Sequence, residues 1–418
     1  MRNWSAVRRV LFLTVFIDLL GFGVAVPILA FCAKQYGASG TTLGLILGSF
    51  SLMQFFFSPV WGRLSDRIGR RPVIIGSLLG NAVGFLVFAF ASNVAMLFAA
   101  RIITGIAAAS VPTAQAYIAD STDESSRAKG MAIIGLAFGL GLVLGPPIGG
   151  LLSSYGSDLH LTANLLPGVA AATLSVVSLL MAIFALPESL HRDGRAVEKR
   201  FSPVDRETWA IFFRTRELRL AGGSLALLMC TLASLAPILV LVGRDRYSLV
   251  AKDVGYLLGL MGVVVVILQF TAVHRLERKF GDVGAGMVGA VALLIALLLV
   301  PPTTTLGWLI VATCLMGVAQ GLCNPTLSSY ISKVAPRSHR GGILGLAHSL
   351  NALARVAGPP IAGFAYDAFR TSGAFLSQAA IVVIAIVLGF GVRRSQSPLS
   401  MREPQLALEP TETIAPSR

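Results

Sequence analysis

The sequence predicts an all-α membrane protein with twelve transmembrane helices in two six-helix pseudo-repeats. Three observations predict it. Charged residues make up 13% of the 418 positions and hydrophobic residues 55%, where a soluble domain carries about 25% charged residues; mean hydropathy is +0.77. Apolar runs of about 20 residues, the length a bilayer core requires, recur along the whole chain. The chain also says part of itself twice. Pro112, Thr113, Tyr117, Ile118, Arg127 and the run Gly145, Pro146, Pro147, Ile148, Gly150 reappear 213 positions later as Pro325, Thr326, Tyr330, Ile331, Arg340 and Gly358, Pro359, Pro360, Ile361, Gly363. Arg63, Leu64 and Gly69 recur one register earlier, 212 positions on, as Arg275, Leu276 and Gly281. A constant offset makes the protein two copies of one unit that face a common interface.

The first span, near 10–31, has the basic start of a signal peptide, but Asp18 interrupts the apolar stretch and no small-residue cleavage site follows, so it is expected to stay in the protein. Phe31 before Cys32 also spoils a lipoprotein site. Spans near 41–61, 72–91, 94–116, 130–153 and 164–186 complete the first half, and spans near 219–242, 254–273, 283–301, 306–330, 342–364 and 373–392 make the second. The expected organisation is an N-terminal bundle (1–190), a basic cytoplasmic linker (191–218), a C-terminal bundle (219–392) and a disordered cytoplasmic tail (393–418) rich in Pro, Glu, Thr and Ser.

Charge distribution sets the orientation. Of the 34 Lys and Arg, 27 lie on the N-terminus, the tail and the even-numbered connections, and 5 on the odd-numbered ones. Cytoplasmic loops hold the positive excess, so both termini are expected inside a bacterial-type plasma (inner) membrane. The net charge of +14 therefore has a membrane explanation, and no nucleic-acid partner is expected, because the basic residues are not interleaved with aromatics. Cys32, Cys230, Cys314 and Cys323 lack paired-ligand spacing, so neither a metal nor a cofactor is expected.

Ionisable groups at bilayer depth are expensive, and each one needs a reason. Asp18 is the one acid well inside a span, which makes it the leading proton carrier, with a fixed structural ion pair as the alternative. Arg101 opens the fourth span, and helical stepping puts Thr104, Gly105, Ala108, Pro112 and Gln115 on its face. Direct pairing of Arg101 with Asp18, water mediation and a second partner all stay open at this point. On the eleventh span His348, Asn351 and Arg355 share a face, with Arg355 near the midplane; for Asn351 alone, interhelical hydrogen bonding is the plainer reading. Gln54, Asn81 and Gln269 read as packing residues. Gln115, His348, Asn351 and Arg355 are the expected substrate cavity. One acid and two Arg inside the spans favour a neutral, anionic or zwitterionic small molecule over a multivalent cation.

The segment Gly62-Arg63-Leu64-Ser65-Asp66-Arg67-Ile68-Gly69-Arg70-Arg71 resembles the signature that joins the second and third spans of the major facilitator superfamily. In that family it acts as an inner-side conformational latch, which assigns a gating role to Gly62, Asp66, Arg67, Gly69 and Arg70. Leu97 to Ala109, with Arg101 and Gly105, is similar to the fourth-span motif associated with proton coupling. Gly141 to Gly150, with Gly141, Gly145, Pro146, Gly149 and Gly150 in place, is similar to the fifth-span antiporter motif. Asp18, Gly21 and Pro27 fit the first-span motif of the twelve-span drug/proton antiporters, the group that includes tetracycline exporters, while Ala30 stands where a second Pro is usual.

The resemblance implies the major facilitator fold and a monomer that works in the lipid bilayer. It also implies proton-driven export of a small amphipathic compound by alternating access, with protons and the substrate as partners. Proton-linked uptake of a sugar or organic acid is the first rival, and a non-transporting membrane sensor on the same fold is the second. An enzyme is not expected, since no second membrane carboxylate, ordered ligand set or phosphate loop is present.

Overall fold

A computed structural model describes residues 4–121, 124–189, 206–336 and 339–395, and the described residues are almost entirely helical. The expected tail lies outside them from residue 396, as does the expected linker up to residue 205. The first half contains α1 (Trp4–Gln35), α2 (Gly40–Ile68), α3 (Arg70–Ala89), α4 (Val94–Ala107), α5 (Ser110–Ser121), α6 (Glu124–Asp158) and α7 (Leu165–Ala185). The second contains α8 (Arg206–Arg214), α9 (Arg216–Tyr247), α10 (Ala251–Thr271), α11 (Val273–Leu299), α12 (Leu306–Val334) and α13 (Arg340–Ser395).

Eleven stretches among the described residues are long and apolar enough to cross a membrane. The last, Arg340–Val392, has 53 residues, which at the α-helical rise would run to about 80 Å against a bilayer core of about 30 Å. It is two spans: the backbone leaves helical geometry at Phe369 and Arg370, whose φ is +55°. The expected twelve spans are therefore present. A second difference falls in the fourth span, which is broken at Ala108 and Ala109 into α4 and α5.

Capping follows local chemistry. The Ser39 side chain accepts a hydrogen bond from the Thr42 N–H at the start of α2, and Asn93 accepts from the Met96 N–H at the start of α4. Gly69 and Gly281, partners in the sequence repeat, both take positive φ, 108° and 72°, at matching turns in the two halves. An L side chain is disfavoured in that region, so the two glycines are required by the same turn.

The halves meet at the end of the bundle opposite the chain termini, called here the far end. Two seams close it. On α2, Gly40, Gly44 and Gly48 lie against Gly363, Pro359 and Val356 of α13. On α6, Gly150, Pro146, Pro147 and Val143 lie against Ala251, Gly255, Gly259 and Gly262 of α10. One hydrophobic cluster runs through both halves there, from Val24, Ile28 and Leu43 to Leu239, Leu257 and Leu309. Toward the terminus-bearing end the first half keeps its own cluster, with Leu11, Ile74, Ile118, Ile134 and Leu186. Gly62, Gly135, Gly341 and Gly345, all in the terminus-bearing portions of their helices, face open space. The two seams hold the halves together at the far end.

Candidate functional site

Asp18 lies at mid-helix on α1, 5% exposed. Its carboxylate accepts a hydrogen bond from the Asn81 side-chain amide of α3 at 2.9 Å and from the Ser110 hydroxyl of α5 at 2.6 Å. Both partners are neutral donors, and among the described residues no ion pair joins Asp18 to Arg101. They also correct the reading of Asn81 as a packing residue.

The break between α4 and α5 puts Ser110 there. The Ser77 hydroxyl of α3 donates to the Ala107 carbonyl and accepts from the Ala109 N–H at 3.3 Å, so backbone groups freed by the break find a partner. A sequence signal existed. Pro112 has no N–H and suits the first turn of a helix, which marks a fresh start near Ser110. The same break corrects the single polar face drawn from Arg101 to Gln115: Thr104 and Gly105 stay buried beside Arg101, while Gln115 is exposed on a separate helix.

Arg101, also 5% exposed, carries its guanidinium over the Phe50 ring at 4.5 Å and near the Phe22 ring at 5.4 Å. Its Nε has no hydrogen-bond partner among the described residues. Gly105 explains the approach, since a Cβ there would lie 2.6 Å from the Phe50 carbonyl oxygen. Cation–π contact with two rings is what holds the charge in place of a carboxylate.

α6 lies between the halves. Gly141, Gly145 and Gly149, four residues apart on one face, meet α1: a Cβ on Gly141 would come 2.9 Å from the Leu19 Cβ, and one on Gly145 would come 2.5 Å from the Gly23 Cα. Leu19 is the neighbour of Asp18. Gly150 and the Pro146 carbonyl meet α10, where a Cβ on Gly255 would lie 2.5 Å from that carbonyl oxygen. One run of small residues thus joins the acid-bearing helix to the second half.

At the turn between α2 and α3, Arg70 is the organising cation. It donates to Asp66 at 2.5 Å, to Ser65 at 2.6 Å and to Asp120 at 2.8 Å. The Glu188 carboxylate accepts from the Arg70 and Arg71 N–H groups at the start of α3. Asp120 and Glu188 are partners that the motif itself does not contain. Asp66 stays 64% exposed, and Gly62 and Arg67 are exposed with it.

On α13, His348 and Arg355 are exposed, whereas Asn351 is buried with its side-chain oxygen unpartnered. Arg355 sits one turn before Pro359, on the face that Pro359 turns toward Gly44 of α2. It therefore lies beside the α2 seam, next to Val356, whose carbonyl meets Gly48. A separate cavity of about 720 Å³ at the far end is lined by Gln35, Ser154, Ser157, Asp158, Arg244 and Lys252, away from Asp18 and Arg355.

A sequence model of the Major Facilitator Superfamily matches residues 11–357 and 253–415. The class C tetracycline resistance protein of Escherichia coli is 31% identical over 85% of this chain and 88% of its own length. Multidrug resistance protein 2 of Bacillus subtilis is 26% identical over 86% and 88% respectively. The crystal structure of the human organic anion transporter MFSD10 superposes with a TM-score of 0.68, at 26% identity over 93% of this chain and 100% of that one.

Proposed function

The chain belongs to the major facilitator superfamily, and on that premise we propose that it is a proton-coupled antiporter that exports a small amphipathic compound by alternating access. The observation that carries the reading is the setting of Asp18. It is a carboxylate at membrane depth held by the neutral donors Asn81 and Ser110. Such a group takes up and releases a proton without breaking an ion pair.

In the cycle, a proton from outside neutralises Asp18 when the far end is open. The hydrogen bonds to Asn81 and Ser110 rearrange, and the strain passes to α6 through the contact of Leu19 with Gly141. The proton leaves once the terminus-bearing end opens, and substrate binds there. Both termini are assigned to the cytoplasm of a bacterial-type plasma membrane by the bias of basic residues. The chain acts as a monomer in the bilayer.

The tetracycline and multidrug resistance named for the relatives supports export. For the substrate, exposed Arg355 beside the α2 seam and exposed His348 on the same helix favour an anionic or zwitterionic amphipath, and the organic anion named for MFSD10 agrees with it. The deciding experiment uses purified protein in vesicles with an internal pH indicator, screened over anionic, zwitterionic and cationic amphipaths. Proton movement opposite to substrate movement is expected. Proton and substrate moving together would make the protein an uptake symporter.

A further inference from the structure

The far-end seam is built twice, and the two copies differ in charge. Gly363 of α13 lies against the Gly40 carbonyl at the start of α2, and its repeat partner Gly150 of α6 lies against the Ala251 carbonyl at the start of α10. Four residues further on, α13 carries Asp367 where α6 carries Ser154.

Asp367 reaches across the seam. Its carboxylate accepts from the Gly40 N–H at 2.6 Å, the Thr41 N–H at 2.8 Å and the Thr41 hydroxyl at 2.7 Å. Both N–H groups belong to the first turn of α2, which has no internal acceptors for them and carries the positive end of the helix dipole. At the other seam the acid belongs to the helix itself: Asp253 of α10 accepts from the N–H of its own N-cap residue, Val250. Beside Asp367, Lys34 of α1 lies 5.8 Å over the ring of Tyr366, so a second charged contact joins the halves at the same place.

The position of Asp367 makes no sense for its own helix. It lies two residues before the break at Phe369, at the C-terminal end of a helical segment, where a negative charge is disfavoured. The favourable dipole end belongs to the facing helix in the other half. The three bonds are therefore made at the expense of α13 and gained only when the seam is shut.

We propose that Asp367 is the outer latch of the transport cycle: it holds the far end closed while the terminus-bearing end is open, and it must release α2 before the halves rock. The proposal rests on the alternating-access reading. Separation of α2 from α13 at this end breaks all three bonds together, which makes the latch a switch between two states rather than a graded restraint.

The test measures the far-end opening directly, in full-length protein reconstituted in bilayers, without substrate. Spin labels replace Gln35 and Ser372, exposed positions on the two halves, after the native cysteines are removed. The wild type is expected to populate mainly the short distance. Asp367→Ala should raise the open-to-closed ratio at least tenfold, as loss of charge-assisted hydrogen bonds implies. Asp367→Asn, which keeps the side-chain volume, should do so in part and serves if the alanine variant fails to fold. Ser154→Ala at the repeat position should leave the ratio unchanged. Wild-type distances in both Asp367 variants would overturn the latch, while a wild type that never shows the long distance at any pH would overturn alternating access and the latch with it.

Discussion

The Asp18 carboxylate and the Arg101 guanidinium, the two charges buried in the first half at membrane depth, are not partners: Asn81 and Ser110 hold the acid, while Phe50 and Phe22 flank the cation. Each charge is thereby stabilised independently, and neither is neutralised by the other. A proton can then load Asp18 while Arg101 keeps its place, which suits a carrier better than a locked ion pair would.

Asp18→Asn fixes the neutral form. Uphill export driven by a pH difference should vanish, since the gradient supplies about 2.3 kcal/mol per charge for each 100 mV and the variant has no charge for it to act on. Downhill substrate exchange should survive. Concentrative transport by the variant in vesicles would move the proton carrier elsewhere, with His348 the next candidate.

Asn81→Ala removes one of two donors from a buried carboxylate. A hydrogen bond to a charged group contributes about 1.5–3 kcal/mol, so coupled export should fall by about tenfold or more. Ser110→Ala should act in the same direction, and the double variant by less than the product of the two, because they share a partner. Export at the wild-type rate in the double variant would remove both residues from the mechanism.

Gly145→Ala should destabilise the protein by about 1–3 kcal/mol, since the new methyl meets the Gly23 backbone and α1 must move away from α6. Gly135→Ala, on the same helix but facing open space, should be neutral or slightly stabilising. Thermal unfolding in detergent compares the two; equal shifts would mean that the crossing of α1 and α6 is not tight.

Arg355→Ala should abolish transport or redirect it toward uncharged compounds, while Gln269→Ala, exposed near the end of α10, should change little. Substrate-binding titrations on the purified variants check this. Unaltered affinity for anionic amphipaths in Arg355→Ala would take Arg355 out of the cavity.

Asp66→Asn weakens the Arg70 cluster at the terminus-bearing end, well away from Arg355 and Asp18. Turnover should slow several-fold with substrate affinity nearly kept, and single-turnover measurements separate the two. Lost affinity at an unchanged rate would reverse the roles.

Much of the fold was legible in the one-dimensional pattern. Hydropathy and length fixed twelve spans, because a bilayer of constant thickness demands runs of constant length. The 213-residue offset pointed to two halves, and Gly69 and Gly281, 212 residues apart, both take positive φ. The cost of burying charge singled out Asp18, Arg101 and Arg355 without any knowledge of their neighbours. What the sequence could not supply was adjacency. Asn81 looked like packing because its role depends on α3 facing α1, and Ser110 was hidden because the helix break that aims it is held by Ser77 on another span. Asp367 passed unnoticed at the edge of the eleventh span, 327 residues from Gly40, whose N–H it accepts. Local pattern determines which residues enter the membrane and which are expensive there; only the packing of helices distant in the chain decides which donors those residues meet.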